Sequence, residues 1–187
     1  MPVKLIRPQR FGDERGWFSE TYSRARYATM GVDVDFVQDN HSMSRDVGTL
    51  RGLHWQAPPH GQDKLVRCVR GSIWDVAVDA RRGSPTFGQW VAAELSGENG
   101  HQLFVPVGFA HGFVTLRPDT EVEYKVSGLY SREAEGGVMW NDPGLALPWP
   151  LDGRAPILSA KDQVMPSLDE ASTPFTYDGR PLEPLDA

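Results

Sequence analysis

The sequence has 187 residues, of which 40% are hydrophobic and 24% are charged, a balance typical of a folded globular chain. This length predicts one domain over residues 1–187. The formal net charge of -6 disfavours general attraction to nucleic acid or to anionic membranes, so we expect neither as a partner. Any phosphate site must be local, and the basic residues, which are mostly arginines, suit bidentate phosphate binding.

Cysteine usage and the N-terminal sequence indicate the compartment. Cys68 is the only cysteine, so an intrachain disulfide is impossible, and its apolar neighbours suit a small buried side chain. The N-terminus has no apolar core of signal-peptide length, and no segment approaches the roughly 20 apolar residues of a membrane span. We therefore expect a cytoplasmic protein without membrane contact.

Glycine and proline are scattered along the chain and divide it into short runs rich in β-branched and aromatic residues, a pattern typical of strands. The predicted strands are Val3–Ile6, Gly16–Tyr22, Val34–Ser42, Thr49–Gln56, Leu65–Val69, Ile73–Val78, Phe87–Leu95, Gln102–Pro106, Gly112–Leu116 and Glu121–Val126. Only Ser23–Met30 is predicted as a helix, and the Pro-rich tail, 163–187, as irregular coil. Many short strands without room for crossover helices predict an all-β antiparallel sandwich or jelly roll.

The first candidate site residues lie in the segment DERGWFSE, residues 13–20. Arg15 can hold a phosphate group. Glu20 can accept a hydrogen bond from the imide N–H of a pyrimidine base. Considered alone, an octapeptide of this kind is more often a solvated hairpin than a binding site.

A cation and an imidazole stand three residues apart in LRGLHWQ, residues 50–56. Strict strand alternation would direct Arg51 and His54 to opposite faces. If both serve one pocket, a bulge or a sharp twist at Gly52 must redirect one of them, and glycine permits this. A structural, hydrogen-bonded histidine is the alternative reading of His54.

Further candidates follow along the chain. Lys64 stands directly before the predicted strand Leu65–Val69 and can lie beside a developing oxyanion. His111 lies in a Gly-rich apolar run, and Tyr124 and Tyr130 follow. Aromatic residues at strand spacing are more often core residues, so by themselves the two tyrosines would be interpreted as packing.

No metal cofactor is expected, because no two of the five histidines stand at His-x-His spacing, which would supply adjacent ligands on one strand face. His54, His60 and His111 can still meet by folding. A metal-dependent β-barrel therefore stays as an alternative.

Taken together, the motifs resemble the dTDP-4-dehydrorhamnose 3,5-epimerase family, a metal-free branch of the cupin-like jelly rolls. The resemblance covers nearly the whole chain, and only Ser127-Gly128-Leu129 before Tyr130 departs from the usual pattern. The matching motifs are, in order, DERGWFSE, QDNHS, LRGLHWQ, QDKLVR, DVAVDARRGSPTFG, FVPVGFAHGF, EYKV, GLY, WNDP and LSAKD.

The resemblance implies a role for each matched residue. His54 would be the general base, Tyr124 the acid on the opposite face, Lys64 the stabiliser of the enolate oxygen, and Asp162 the carboxylate that orients His54. The implied substrate-binding residues are Arg15, Glu20, Gln38, Asn40, Arg51, Lys64, His111, Tyr130 and Glu135. The family also implies no cofactor, and a homodimer with swapped N-terminal strands in which the neighbouring subunit delivers Arg15 and Glu20.

The leading hypothesis is thus 3,5-epimerisation of dTDP-4-dehydro-6-deoxy-D-glucose in dTDP-L-rhamnose biosynthesis. A single-site 3- or 5-epimerase from another dTDP-deoxysugar pathway fits the same motifs. A non-catalytic sugar-nucleotide binding module is a third reading, although base, cation and acid are all present.

Overall fold

A computed structural model describes residues 1–185, and its regular secondary structure is almost entirely short strands joined by turns and irregular chain. The only helix in this part of the chain is α1, Arg24–Thr29. The strands are β1 Lys4–Ile6, β2 Phe11–Asp13, β3 Gly16–Phe18, β4 Gln38–Ser44, β5 Leu50–Gln56, β6 Lys64–Arg70, β7 Ser72–Asp79, β8 Arg81–Arg82, β9 Trp90–Ser96, β10 Gln102–Val105, β11 Phe109–Thr115, β12 Thr120–Val126, β13 Glu135–Gly137 and β14 Phe175–Thr176.

Two five-stranded antiparallel sheets form the body of the molecule. The first sheet has the order β1-β10-β6-β12-β4, and the second has the order β13-β5-β11-β7-β9. Alternate residues of both sheets meet in a shared apolar core: Val66 and Leu103 come from the first sheet, and Ile73 and Phe109 from the second. This confirms the predicted cupin-like antiparallel sandwich.

The outer face of each sheet is covered by irregular chain. Tyr27 of α1 and the nearby Val32 pack on the first sheet. Leu145 and Phe175, from the C-terminal third of the chain, pack on the second. Of the tail predicted as irregular, residues 163–185 are described and are irregular apart from β14, which pairs in parallel with β8; residues 186 and 187 lie outside the described residues.

Three predicted strands are at least three residues too long at one end. The strand expected at Phe87–Leu95 begins only at Trp90. The strand expected at Gly16–Tyr22 ends at Phe18, and Tyr22 instead makes edge contacts with the rings of Tyr27 and Phe36. The strand expected at Val34–Ser42 begins only at Gln38. Tyr22, Val34 and Phe36 pack against the outer side of the first sheet. These side chains are therefore buried or half-buried without backbone pairing to a strand of that sheet.

Within residues 1–185, no helix has the length and apolar character needed to cross a membrane.

Candidate active site

A cavity of about 720 Å³ opens between the two sheets at one end of the sandwich. Ten of the residues predicted for the site contribute to its walls. They are Gln38, Asn40, Arg51, His54, Lys64, His111, Tyr124, Tyr130, Glu135 and Asp162.

Strand alternation directs the candidate catalytic groups of the first sheet into this cavity. On β6, Val66 and Cys68 belong to the core between the sheets, so Lys64 points to the same side, whereas Leu65 packs outside. On β12, Val122 is likewise a core residue and Tyr124 packs against that core. Lys64 and Tyr124 therefore occupy one wall, because both continue the inward rows of their strands.

A bulge on β5 brings Arg51 and His54 to one cavity. His54 pairs with His111 and Arg51 with Phe113, so β5 holds one more residue than β11 between these pairs. Gly52 lies inside the bulge with φ 122°, and a Cβ there would lie 2.6 Å from the Cα of Gly112. The bulge predicted at Gly52 is confirmed, and the close approach of β11 explains why glycine is needed.

The imidazole of His54 is held from behind by a carboxylate. Its Nε2 lies 2.5 Å from Oδ1 of Asp162, and Ser159 Oγ donates to the other carboxylate oxygen over 2.7 Å. Burial lowers the pKa of His54, and the hydrogen bond to Asp162 acts in the opposite direction. Burial would raise the pKa of Asp162, but the bonds with His54 and Ser159 hold it below its ordinary value. The pair is thus a neutral imidazole oriented by a carboxylate at neutral pH.

The facing sheet supplies a cation and a phenol. Burial lowers the pKa of Lys64 to about 8, so most of this amine is charged at neutral pH. Burial also raises the pKa of Tyr124 above its ordinary value, which keeps the phenol protonated. Because His54 lies on the second sheet and Tyr124 on the first, a substrate ring between the sheets would meet them on opposite faces.

Glu135 lies in the cavity wall and bonds two other residues of that wall. Its carboxylate accepts a hydrogen bond from Lys161 Nζ over 2.5 Å and a longer one from the Tyr130 hydroxyl over 3.4 Å. β13, which carries Glu135, pairs with β5. Sequence reasoning missed this strand, because its residues, Glu-Gly-Gly, have no β-branched or aromatic signal.

Two charged groups of the site escaped the sequence analysis. Lys161 lines the cavity and was overlooked beside Asp162, although their adjacency was a usable signal. Asp75 is fully buried, and its Oδ1 lies 2.8 Å from Nε2 of His111. A lone acid within the apolar run Ile73–Val78 was the signal that could have found it.

Arg15 and Glu20 lie outside this cavity. Both belong to the N-terminal hairpin segment, where Arg15 is 85% exposed and pairs with Asp13, and Glu20 pairs with Arg26 over 3.5 Å. Within the part of the chain that the structure describes, nothing brings them to His54.

The same part of the chain, residues 1–185, contains no cluster of three or more His, Cys, Asp or Glu side chains able to hold a metal ion.

The sequence and structure of this chain were compared with those of known proteins. Residues 2–170 match the pattern described as dTDP-4-dehydrorhamnose 3,5-epimerase. The chain belongs to that family. A relative named dTDP-4-dehydrorhamnose 3,5-epimerase, from Sinorhizobium fredii, is 54% identical over 175 residues, which cover 94% of this chain and 89% of the relative.

Two solved structures support the assignment to this epimerase family. The family member from Bacillus anthracis, crystallised with TDP and pyrophosphate, is 52% identical with a TM-score of 0.85, covering 88% of this chain and 93% of that one. The enzyme from Legionella pneumophila, a dTDP-6-deoxy-D-glucose-3,5-epimerase in complex with dTDP-4-keto-L-rhamnose, is 44% identical with a TM-score of 0.90, covering 95% and 94%. The present chain is therefore an isomerase of the epimerase type.

Proposed function

We propose that this protein binds a dTDP-linked 4-keto-6-deoxyhexose and inverts C3 and C5 of dTDP-4-dehydro-6-deoxy-D-glucose, giving dTDP-4-dehydro-L-rhamnose for dTDP-L-rhamnose biosynthesis. The observation that carries the proposal is the arrangement of His54 and Tyr124 on opposite walls of one cavity, with Lys64 on the wall of Tyr124. Inversion beside a ketone requires proton removal from one face and proton return to the other, and these walls supply one group for each.

His54 removes the proton. A C–H bond beside the C4 ketone breaks, its electron pair moves to the carbonyl oxygen, and the imidazole becomes an imidazolium. Asp162, bonded to the other ring nitrogen, stabilises that new positive charge and holds the ring in place. The lowered pKa of His54 keeps the base free of a proton at neutral pH.

Lys64 stabilises the enolate oxygen, where the negative charge develops. A cation already in position need not reorganise during the reaction, and in a partly dry cavity its effect is larger than in water. Tyr124 then donates its phenolic proton to carbon from the opposite face. Solvent returns a proton to Tyr124 and removes one from His54, so the reaction is balanced without an oxidant or a reductant.

The rest of the cavity suits a nucleotide sugar. Arg51 supplies a guanidinium at the cavity wall for phosphate, and the Tyr130 ring, 57% exposed, is available to stack on the base at the rim. On β4, Gln38 Nε2 donates to Asn40 Oδ1 over 2.7 Å, and together they present amides to sugar or base.

The proposal includes a homodimer with exchanged N-terminal strands. β2 and β3 pair only with each other in the described chain, and the hairpin exposes Phe11, Trp17 and Phe18 at 52%, 58% and 69%. Exposed aromatic residues of this density favour contact with a second copy. Arg15 and Glu20 would then enter the cavity of the partner.

Proton NMR of the purified protein acting on dTDP-4-dehydro-6-deoxy-D-glucose in deuterated water tests the function. We expect deuterium at both C3 and C5 and a product with the L-rhamno configuration. Deuterium at one carbon would establish a single-site epimerase, and its absence at both would contradict the proposal. His54→Asn is the control: it should still bind dTDP in calorimetry but show nearly no exchange, while His101→Asn, outside the cavity, should behave as wild type.

A further inference from the structure

The buried carboxylate of Asp75 has an unusual set of partners. It lies on β7 between Ile73 and Ala77, two residues of the core between the sheets, and is fully buried. Its Oδ1 bonds His111, whereas its Oδ2 has no hydrogen-bond partner among the described residues. A single bond to an imidazole does not offset the cost of burying a carboxylate, so a nearby positive charge is needed.

Lys64 is the cation that faces Asp75 across the interior. It continues the inward row of Val66 and Cys68 on β6, and its ammonium and the carboxylate therefore enter the same space from opposite sheets. We infer that Asp75 is a positioning residue that holds Lys64 as an ammonium ion at the cavity wall while it also orients His111. This inference rests on the proposed function, in which Lys64 stabilises the enolate.

The electrostatics of the cavity agree with this geometry. Burial is the main cause that lowers the pKa of Lys64, and the negative charge of Asp75 is the strongest influence that opposes it. Lys161 acts in the same direction as burial, and Glu135 acts with Asp75. The titratable and charged groups that share the cavity with Lys64 are His111 on β11, Arg51 and His54 on β5, Tyr124 on β12, Glu135 on β13, and Tyr130, Lys161 and Asp162. Asp75 on β7 also acts on Lys64 through its charge.

The two carboxylates, Asp162 and Asp75, would then stabilise two different positive charges. Asp162 stabilises the base once it has gained a proton, and Asp75 retains the proton on the cation that receives the negative charge. Loss of Asp75 should therefore leave the enzyme intact at low pH and impair it at high pH, where Lys64 becomes neutral. A purely structural role for Asp75 predicts the same loss at every pH.

Asp75→Asn tests the inference, since it preserves size and removes the charge. In protein labelled with ¹⁵N-lysine, four Nζ resonances are expected, one for each lysine, and loss of one in Lys64→Arg assigns Lys64. In Asp75→Asn the pKa of Lys64 followed by this resonance should be about one unit lower. From that shift, kcat/KM should fall by about eightfold at pH 8.5 and by less than about 1.5-fold at pH 6.5. Asp75→Glu should restore most of the alkaline activity.

Asp39→Asn is the matched control, because Asp39 is an exposed acid paired with Lys125 on the outer face, and it should leave the Lys64 midpoint unchanged. Asp75→Ser is a second variant with a smaller side chain, for use if Asp75→Asn does not fold, and it must give the same displacement. An unmoved Lys64 midpoint, or an equal loss of kcat/KM at all pH values, would overturn the inference. The NMR midpoint requires no turnover, so a failed proposed function would be recognised separately.

Discussion

His54 Nε2 lies 2.5 Å from Asp162 Oδ1 although 108 residues separate them. The chain achieves this by fastening the segment before Asp162 to the start of β5. Ile157 N donates to Gly48 O over 2.9 Å, and Leu50 N donates to Ile157 O over 3.0 Å. Two backbone hydrogen bonds at the beginning of β5 thus place the Asp162 carboxylate beside His54, which lies near the middle of that strand.

Asp162→Asn should reduce kcat by about 10² to 10⁴, because an amide keeps the shape but no longer stabilises the imidazolium. KM should change little, since Asp162 lies behind the base. Asp162 raises the pKa of His54, so its loss should move the acid limb of the pH–rate profile to lower pH. Steady-state kinetics over pH 5–9 check this, with the exposed Asp169→Asn as control. A wild-type kcat in Asp162→Asn would refute the role.

Tyr124→Phe should separate exchange from inversion. The substitution removes only the proton donor, so His54 can still form the enolate and return an exchanged proton to the same face. In deuterated water we expect deuterium in unconverted substrate, while epimer formation falls by about 10² to 10⁴. Simultaneous loss of both signals in the NMR time course would mean that Tyr124 helps to form the enolate. Unchanged epimerisation would reduce Tyr124 to a packing residue.

The proposed exchange of the N-terminal hairpin predicts complementation between two inactive variants. A chain with Arg15→Ala retains its own His54, and a chain with His54→Asn retains Arg15. If Arg15 acts in the partner, mixed dimers contain one complete site. Co-refolding equal amounts should then restore about one quarter of wild-type activity, because half of the dimers are mixed and half of their sites are complete. Activity no greater than that of the separate variants would show that Arg15 does not act in trans. Tyr124→Phe with His54→Asn is the matched control pair, because both residues lie in the same chain's cavity and mixed dimers then contain no complete site.

A buried ion pair away from the cavity predicts how stability depends on pH. Arg81 donates from Nε and Nη2 to the two oxygens of the fully buried Asp79, over 2.9 and 2.8 Å. Burial opposes ionisation of Asp79, but bonds from Arg81, Ser84 and Thr86 bring its pKa below the ordinary 3.8. The stabilisation is therefore complete above about pH 4 and is lost as the pH falls further.

Asp79→Asn should reduce the free energy of unfolding by about 3 kcal/mol at pH 7, because it leaves the buried Arg81 with only part of its counter-charge. Asp178 is the second partner of Arg81, and its side chain is 44% exposed. Asp178→Asn should therefore reduce the free energy of unfolding by less than about 1 kcal/mol. Urea unfolding at pH 7 and pH 3 measures both. Equal losses in the two variants, or a difference that does not shrink at pH 3, would contradict this account.

The local features of this protein were readable from its sequence because they depend on residues near one another. Runs of β-branched and aromatic residues between breaks predict β6, β7 and β12 to within one residue at either end. The opposed directions of Arg51 and His54 predict a bulge or sharp twist at Gly52 if both serve one pocket. The resemblance of ordered motifs predicted which residues meet, and ten of those residues lie in one cavity.

Only the tertiary structure decided the relationships that depend on distant partners. Asp75 reads as one polar position in an apolar strand until pairing of β7 with β11 brings His111 Nε2 within 2.8 Å of its carboxylate. The strand β13 exists because β5 offers backbone partners, not because of its own residues. Side-chain alternation is encoded over a few residues, whereas the contact of His54 with Asp162 depends on closing a long loop and on the backbone bonds of Ile157, which no local pattern specifies.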